Sequence, residues 1–178
     1  MDTATTERPV RRARSESLAL YRANAKGTGA VLRIEPRLNL RPGDRYNCFF
    51  LEMAGQKPAD DGNEPGRRPT FDWENKITVK LTFPDLCEFL AVLEGKSTKV
   101  GGTRDGLYHQ NGETGTVIRF GRHDSGGYAI GLSRKRGPDG EVQGFRMILS
   151  EAEGVGLRHV LGVGLFFIAL PSGMPTAD

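Results

Sequence analysis

The chain has 178 residues, 37% of them hydrophobic, with 24 glycines and 10 prolines. That fits a single domain with a real core, assembled from many short strands and turns. The formal net charge of +3 permits an acidic partner without requiring one, so the placement of the cations matters more than their number. Cys48 and Cys87 stand at no metal or redox spacing and read as free thiols in a reducing compartment. No N-terminal apolar stretch resembles a signal peptide, and the run Val160 to Leu170 falls short of the ~20 residues that cross a bilayer. The expectation is a soluble cytoplasmic protein with no membrane partner.

Residues 1–17 are polar and aperiodic and are expected to be a disordered tail, with Arg11, Arg12 and Arg14 as either a loose phosphate contact or solvated charge. The domain is expected over 18–172, with a short tail at 173–178. In KGTGAVLRIEP, Ala30, Leu32 and Ile34 alternate with Val31, Arg33 and Glu35, which predicts a strand ending at Pro36. Residues 46–53, YNCFFLEM, predict a strand apolar on both faces. The polar stretch 54–69 reads as a mobile insertion. Ile77, Val79, Leu81 and Phe83 alternate with Lys76, Thr78, Lys80 and Thr82, the pattern of a half-buried antiparallel strand with a cationic outer face. Thr82, Pro84 and Asp85 form a helix start, Leu86, Phe89, Leu90 and Leu93 recur at helical spacing, and Gly95 supplies a stop.

The second half repeats the plan. Strands are expected at Leu107–Gln110, Thr114–Phe120, Tyr128–Arg134 and Val142–Leu149, joined by NGE, HDSGG and GPDG turns. The Gly-rich KVGGTRDG before them reads as a flexible connection. Ser150 and Glu153 form a second capping box, and a strongly apolar helix follows to about Leu170. The fold class is α+β: two antiparallel four-stranded sheets, each followed by a helix. The second helix has almost no polar face, so it is either a central core helix or a self-association surface. Gly154, Gly156, Gly162 and Gly164 each cost ~1 kcal/mol against Ala in such a helix, which close packing would explain.

Catalytic chemistry finds no foothold in the sequence. His109, His123 and His159 are not at metal spacing, with His159 expected to be packed or hydrogen-bonded on its helix. There is no GxSxG elbow, phosphate loop or dinucleotide fingerprint. The expectation is a non-enzyme with no cofactor and no metal.

A sheet that binds single strands needs cations along the backbone and flat side chains under the bases. Lys26, Arg33, Lys76, Lys80, Arg119, Arg134 and Arg146 are strand or strand-edge cations, and Tyr21, Trp73, Tyr108 and Tyr128 are aromatics with polar handles. Taken singly, each reads more readily as a solvated charge or a core ring than as a binding residue. The small residues after Lys26 would let a ligand approach the backbone.

Four stretches resemble the Whirly family of single-stranded DNA-binding proteins: LYRANAKGTGAVLRIEPR, FDWENKITVKLTFPDLCEFLAVLEG, LYHQN, and SGGYAIGLSRK with the SEAEGVGL helix. The resemblance spans roughly residues 18–170. It implies that Lys26, Gly27, Thr28, Gly29 and Ala30 occupy the family's lysine-rich binding motif. It further implies a tetramer held by the helices, with bases wedged between sheets of neighbouring protomers. Thr28 stands where the family has a second lysine, and Arg22 to Ala25 separate Tyr21 from Lys26. The expected partner is single-stranded DNA bound with little sequence preference, in DNA protection, repair, replication or transcription. The expected binding set is Tyr21, Lys26–Ala30, Trp73, Lys76, Lys80, Tyr108, Tyr128 and Arg134. Kinetoplastid guide-RNA-binding proteins share the fold, so single-stranded RNA is the alternative, and an oligomeric interaction protein without nucleic acid is a third.

Overall fold

The computed structural model describes residues 17–37, 47–58 and 68–170. The expected tails, with the Arg11–Arg14 cluster, lie outside the described residues except for Ser17, and so do residues 59–67 of the polar insertion. The chain forms β1 (Leu18–Arg22), β2 (Ala30–Arg37), β3 (Cys48–Gly55), β4 (Ile77–Leu81) and α1 (Phe83–Leu93), then β5 (Leu107–Asn111), β6 (Thr114–Arg122), β7 (Tyr128–Arg136), β8 (Val142–Leu149) and α2 (Glu151–Ala169). The strands make two antiparallel four-stranded sheets, ordered β1-β2-β3-β4 and β5-β6-β7-β8. This is the expected architecture, with each strand paired to its neighbours in chain order.

The boundaries differ from the sequence reading in places with physical causes. β1 precedes the first strand that alternation marks, because LALYR is short and lacks a clean period. β2 runs through Pro36, which stands opposite Phe49. β1 begins opposite Ile34, so among the described residues β2 has one partner strand at Pro36, where a missing N–H is tolerated. β3 starts at Cys48 and takes in Ala54 and Gly55 from the expected insertion; Gln56 then bridges to Phe71 and Lys57 N–H donates to Thr70 O at 2.9 Å. The KVGGTRDG stretch is no loose connection. Val100 is buried, its N–H donates to Phe120 O at 2.9 Å, and Arg122 N–H donates to Thr98 O at 2.8 Å.

Alternation sorts each sheet into two faces. In the first, Leu32, Ile34, Leu51, Met53, Ile77 and Leu81 point into the core. In the second, Ile118, Phe120, Ile130, Leu132 and Leu149 do so. Each such side chain contributes roughly 1.5–3 kcal/mol by leaving water. Phe89 of α1 stacks on Phe120 with centroids 4.6 Å apart, and Phe120 on Tyr128 at 5.6 Å, so one aromatic column joins helix and sheet.

Both helix starts follow the sequence. Asp85 accepts from the N–H and hydroxyl of Thr82, each at 2.7 Å, and Glu153 accepts from Ser150 N–H at 2.8 Å. Gly95 takes a φ of 72° just beyond α1, as its stop requires. On α2 only one stripe is buried: Gly154, Leu157, Leu161 and Gly164. A Cβ on Gly154 would overlap the Tyr128 ring, and one on Gly164 the Phe49 ring, so two of the four helix glycines are explained by close packing. Gly156 and Gly162 have nothing within 4 Å. The opposite side shows Val155, Val163, Phe166 and Leu170 to solvent, Val163 at 62%. α2 is therefore not buried all round within one subunit, and His159 lies exposed on it rather than packed. Cys48 is buried, Cys87 is half-buried, and both thiols are free.

Candidate functional site

The outer face of the first sheet is polar yet tightly paired. Arg33, Glu52 and Thr78 stand opposite one another on β2, β3 and β4. Glu52 is buried and accepts from Arg33 Nε at 2.6 Å, from Arg33 Nη2, from Lys76 Nζ at 2.6 Å and from Thr78 Oγ1 at 3.0 Å. Burial pushes the Glu52 carboxyl up, but these hydrogen bonds outweigh it and hold the group below the ordinary glutamate value. The Arg33 guanidinium also lies 4.7 Å over the Trp73 ring. Beside it Tyr21, 55% exposed, leans on Phe71 with centroids 5.5 Å apart. A patch of rings and cations thus covers the β1–β3 end of this face.

From Lys76 the surface continues into a gap between the sheets. Lys76, Arg134 and Arg136 line a depression of about 330 Å³ together with Glu74 and Glu141. Arg134 and Arg136 also line an adjoining cleft of about 400 Å³ with Lys80, Thr78, Thr116 and His109. No carboxylate is among the described residues lining that cleft. Arg134 donates to two neutral acceptors, Thr78 O at 2.5 Å and Thr116 Oγ1 at 3.5 Å. Burial, and then the neighbouring charge of Arg136, pull its guanidinium below the usual arginine value. A guanidinium stays charged at any ordinary pH, so Arg134 and Arg136 bring positive charge to the cleft. His109 Nε2 lies 3.1 Å from Asp85 Oδ1, which ties the cleft wall to the start of α1.

The structure brings together Tyr21, Trp73, Lys76, Lys80 and Arg134 of the expected set, along this one track. Lys26, Gly27 and Thr28 form the tip of the β1–β2 hairpin, with Gly27 at φ 68° and Thr28 N–H donating to Asn24 Oδ1 at 3.0 Å. Gly29 and Ala30 do not offer an open backbone. Both are buried, and a Cβ on Gly29 would collide with Arg22 O, so the small residue serves the hairpin itself. Tyr108, 62% exposed, lies on the opposite face of the second sheet, in a groove of about 580 Å³ with Arg119, Lys135 and Val142. Tyr128 reaches neither surface. It is 5% exposed because its ring fills the space left by Gly154 under α2.

Sequence reasoning missed Arg136, Phe71 and Glu52 as members of this surface. Arg136 was signalled by period two, which places it on the same face as Arg134. Glu52 was signalled by being an acid inside an apolar strand. Phe71 carried no signal, since its neighbour Tyr21 is remote in sequence. Among the described residues no cluster of three or more His, Cys, Asp or Glu side chains is placed to hold a metal ion.

The two sheets, each closed by a helix, make a Whirly-like fold. No protein-family model matches the sequence, and no curated protein matches it. Solved structures match over most of the chain. WHY1 from Arabidopsis thaliana superposes with a TM-score of 0.63 at 14% identity, covering 95% of this chain and 100% of its own. WHY3 from the same plant gives 0.66 at 14% identity, over 91% and 98%. The Trypanosoma brucei MRP1/MRP2 structure gives 0.56 at 21% identity, over 86% and 85%.

Proposed function

We propose that this chain is a non-catalytic binder of single-stranded nucleic acid, with DNA as its partner and little preference for sequence. The observation that carries this is the cleft between the sheets, where Arg134 and Arg136 share a lining with polar side chains and continue through Lys76 to Trp73. Phosphates pair with these cations, and unpaired bases offer flat faces to Trp73 and Tyr21. A duplex keeps its bases stacked inside and cannot use the rings. One of the similar structures is that of a plant transcriptional regulator, PBF-2, at a TM-score of 0.60 and 17% identity, which supports a role on nucleic acid.

The exposed Val155–Val163–Phe166–Leu170 side of α2 supports assembly of copies through the helices, as a tetramer. DNA protection, repair, replication or transcription in the cytoplasm is the setting that such a binder fits. A labelled single strand and its duplex, titrated by fluorescence anisotropy at several salt concentrations, test the reading. Single strands are expected to bind more tightly, with log affinity falling linearly against log salt. Equal affinity for duplex, or none for single strands, overturns it.

A second reading is single-stranded RNA on the same track. It is favoured by the likeness to a guide-RNA-binding protein complex bound to a guide RNA, at a TM-score of 0.54 and 20% identity. Direct competition between DNA and RNA of one sequence separates the two, because only the 2′-OH differs in the sugar.

A further inference from the structure

Glu52 sits mid-strand in β3, among apolar neighbours, and is almost sealed from water. A buried carboxylate is unfavourable unless it is fully paired. Two cations converge on it, Arg33 and Lys76, with Thr78 as a further donor, and Arg33 also lies 4.0 Å from the buried Glu35. Both cations stay partly in solvent, at 30% and 32% side-chain exposure. They also lead to one short segment. Lys76 ends the stretch that begins at Phe71, and Arg33 lies over Trp73 in the middle of it. Within that stretch Asn75 Nδ2 donates to Asp72 Oδ2 at 2.7 Å, and Asp72 N–H donates to Gly55 O at 2.8 Å. The same carboxylate therefore grips the segment directly at Lys76 and through Arg33 at Trp73.

We infer that Glu52 is a positioning residue, which fixes the Trp73 ring and the Lys76 ammonium relative to each other and so sets where a base and its phosphate sit together. This rests on the nucleic-acid reading above. Charge alone makes the opposite forecast. Removing an acid from a surface that meets phosphates raises affinity and steepens the salt dependence. Loss of position lowers affinity despite the added positive charge.

Trp73 is the chain's single tryptophan, so intrinsic fluorescence reports this ring alone. The full chain, as wild type, Glu52→Gln and Arg33→Lys, is assayed in two ways: acrylamide quenching without nucleic acid, and titration with a labelled single strand. Circular dichroism and light scattering monitor fold and mass. Glu52→Gln is expected to raise acrylamide quenching and to lower single-strand affinity by about fivefold or more, the loss of one held base. Arg33→Lys keeps the charge but loses the flat guanidinium over the ring, and is expected to raise quenching likewise. Wild-type quenching in both variants, or Glu52→Gln affinity at or above wild type, overturns the inference. Should Glu52→Gln unfold, Arg33→Lys alone decides, and wild-type quenching there sinks it. A wild type that binds no single strand brings down the functional reading and base positioning with it, whereas a binding wild type matched by Glu52→Gln brings down this inference alone.

Discussion

Arg134 Nη2 donates to the main-chain carbonyl of Thr78 across the gap between the sheets, at 2.5 Å. The bond ties β7 of the second sheet to the edge strand β4 of the first. Because the acceptor is neutral, the guanidinium keeps its charge facing the cleft that it shares with Arg136.

Replacing either arginine should therefore weaken binding without changing which sequences bind. For Arg134→Gln and Arg136→Gln the slope of log affinity against log salt should shrink by about 1, the signature of one lost phosphate contact. Anisotropy titrations at four or five salt concentrations measure it. An unchanged slope in both variants would remove the cleft from the nucleic-acid path.

Close packing under α2 sets a stability prediction. Gly154→Ala and Gly164→Ala each push a methyl into a buried ring, that of Tyr128 or Phe49. Overpacking of this kind costs about 1–3 kcal/mol, which outweighs the ~1 kcal/mol that Ala gains over Gly in a helix. Urea unfolding of each variant should show a lower midpoint at unchanged slope.

The exposed side of α2 sets a prediction on assembly. Val163 and Phe166 are both more than half exposed in the single chain. Val163→Asp combined with Phe166→Ser should lower the solution mass from a tetramer toward smaller species, with the far-ultraviolet spectrum retained. Multi-angle light scattering gives the answer directly, and an unchanged mass would exclude this face from the contact.

Acid should destabilise the first sheet through Glu52. Burial raises its carboxyl, and the hydrogen bonds from Lys76, Arg33 and Thr78 lower it further still, leaving the folded group below its ordinary 4.5. A depressed folded value means that the unfolded chain takes up the proton first. The stabilisation is thus present above about pH 4.5 and disappears as pH falls through the lower folded value. Urea midpoints collected from about pH 3 to 6 should fall with acid in wild type and fall less in Glu52→Gln, which has no proton to gain at that position.

Much of the architecture was legible in the chain because it depends on local chemistry. Ile77, Val79 and Leu81 alternate, so a half-buried strand is the economical choice. Thr82 with Asp85 and Ser150 with Glu153 mark helix starts through bonds that span only three residues. The turns after Asn111, Arg122 and Arg136 are carried by glycines at positive φ, including Gly112, Gly126 and Gly137.

The site was legible in type but not in grouping. Rings and cations could be named, but Trp73, Tyr108 and Tyr128 look alike as aromatics near strand ends. Only packing separates them: one lies beneath the Arg33 guanidinium, one is open on the far face, and one fills the hollow that Gly154 leaves under α2.

The order of elements, the faces of the strands and the helix caps are written in the chain, because these follow from neighbours a few residues apart. Packing decided which cations share a cleft, Arg134 with Arg136, and which ones gather on Glu52, Arg33 with Lys76. Arg134 meets Thr78, and Glu52 meets Lys76, only after the sheets have formed and packed. Charge acts through space, and no local pattern records which distant groups that packing will set within a few ångströms of each other.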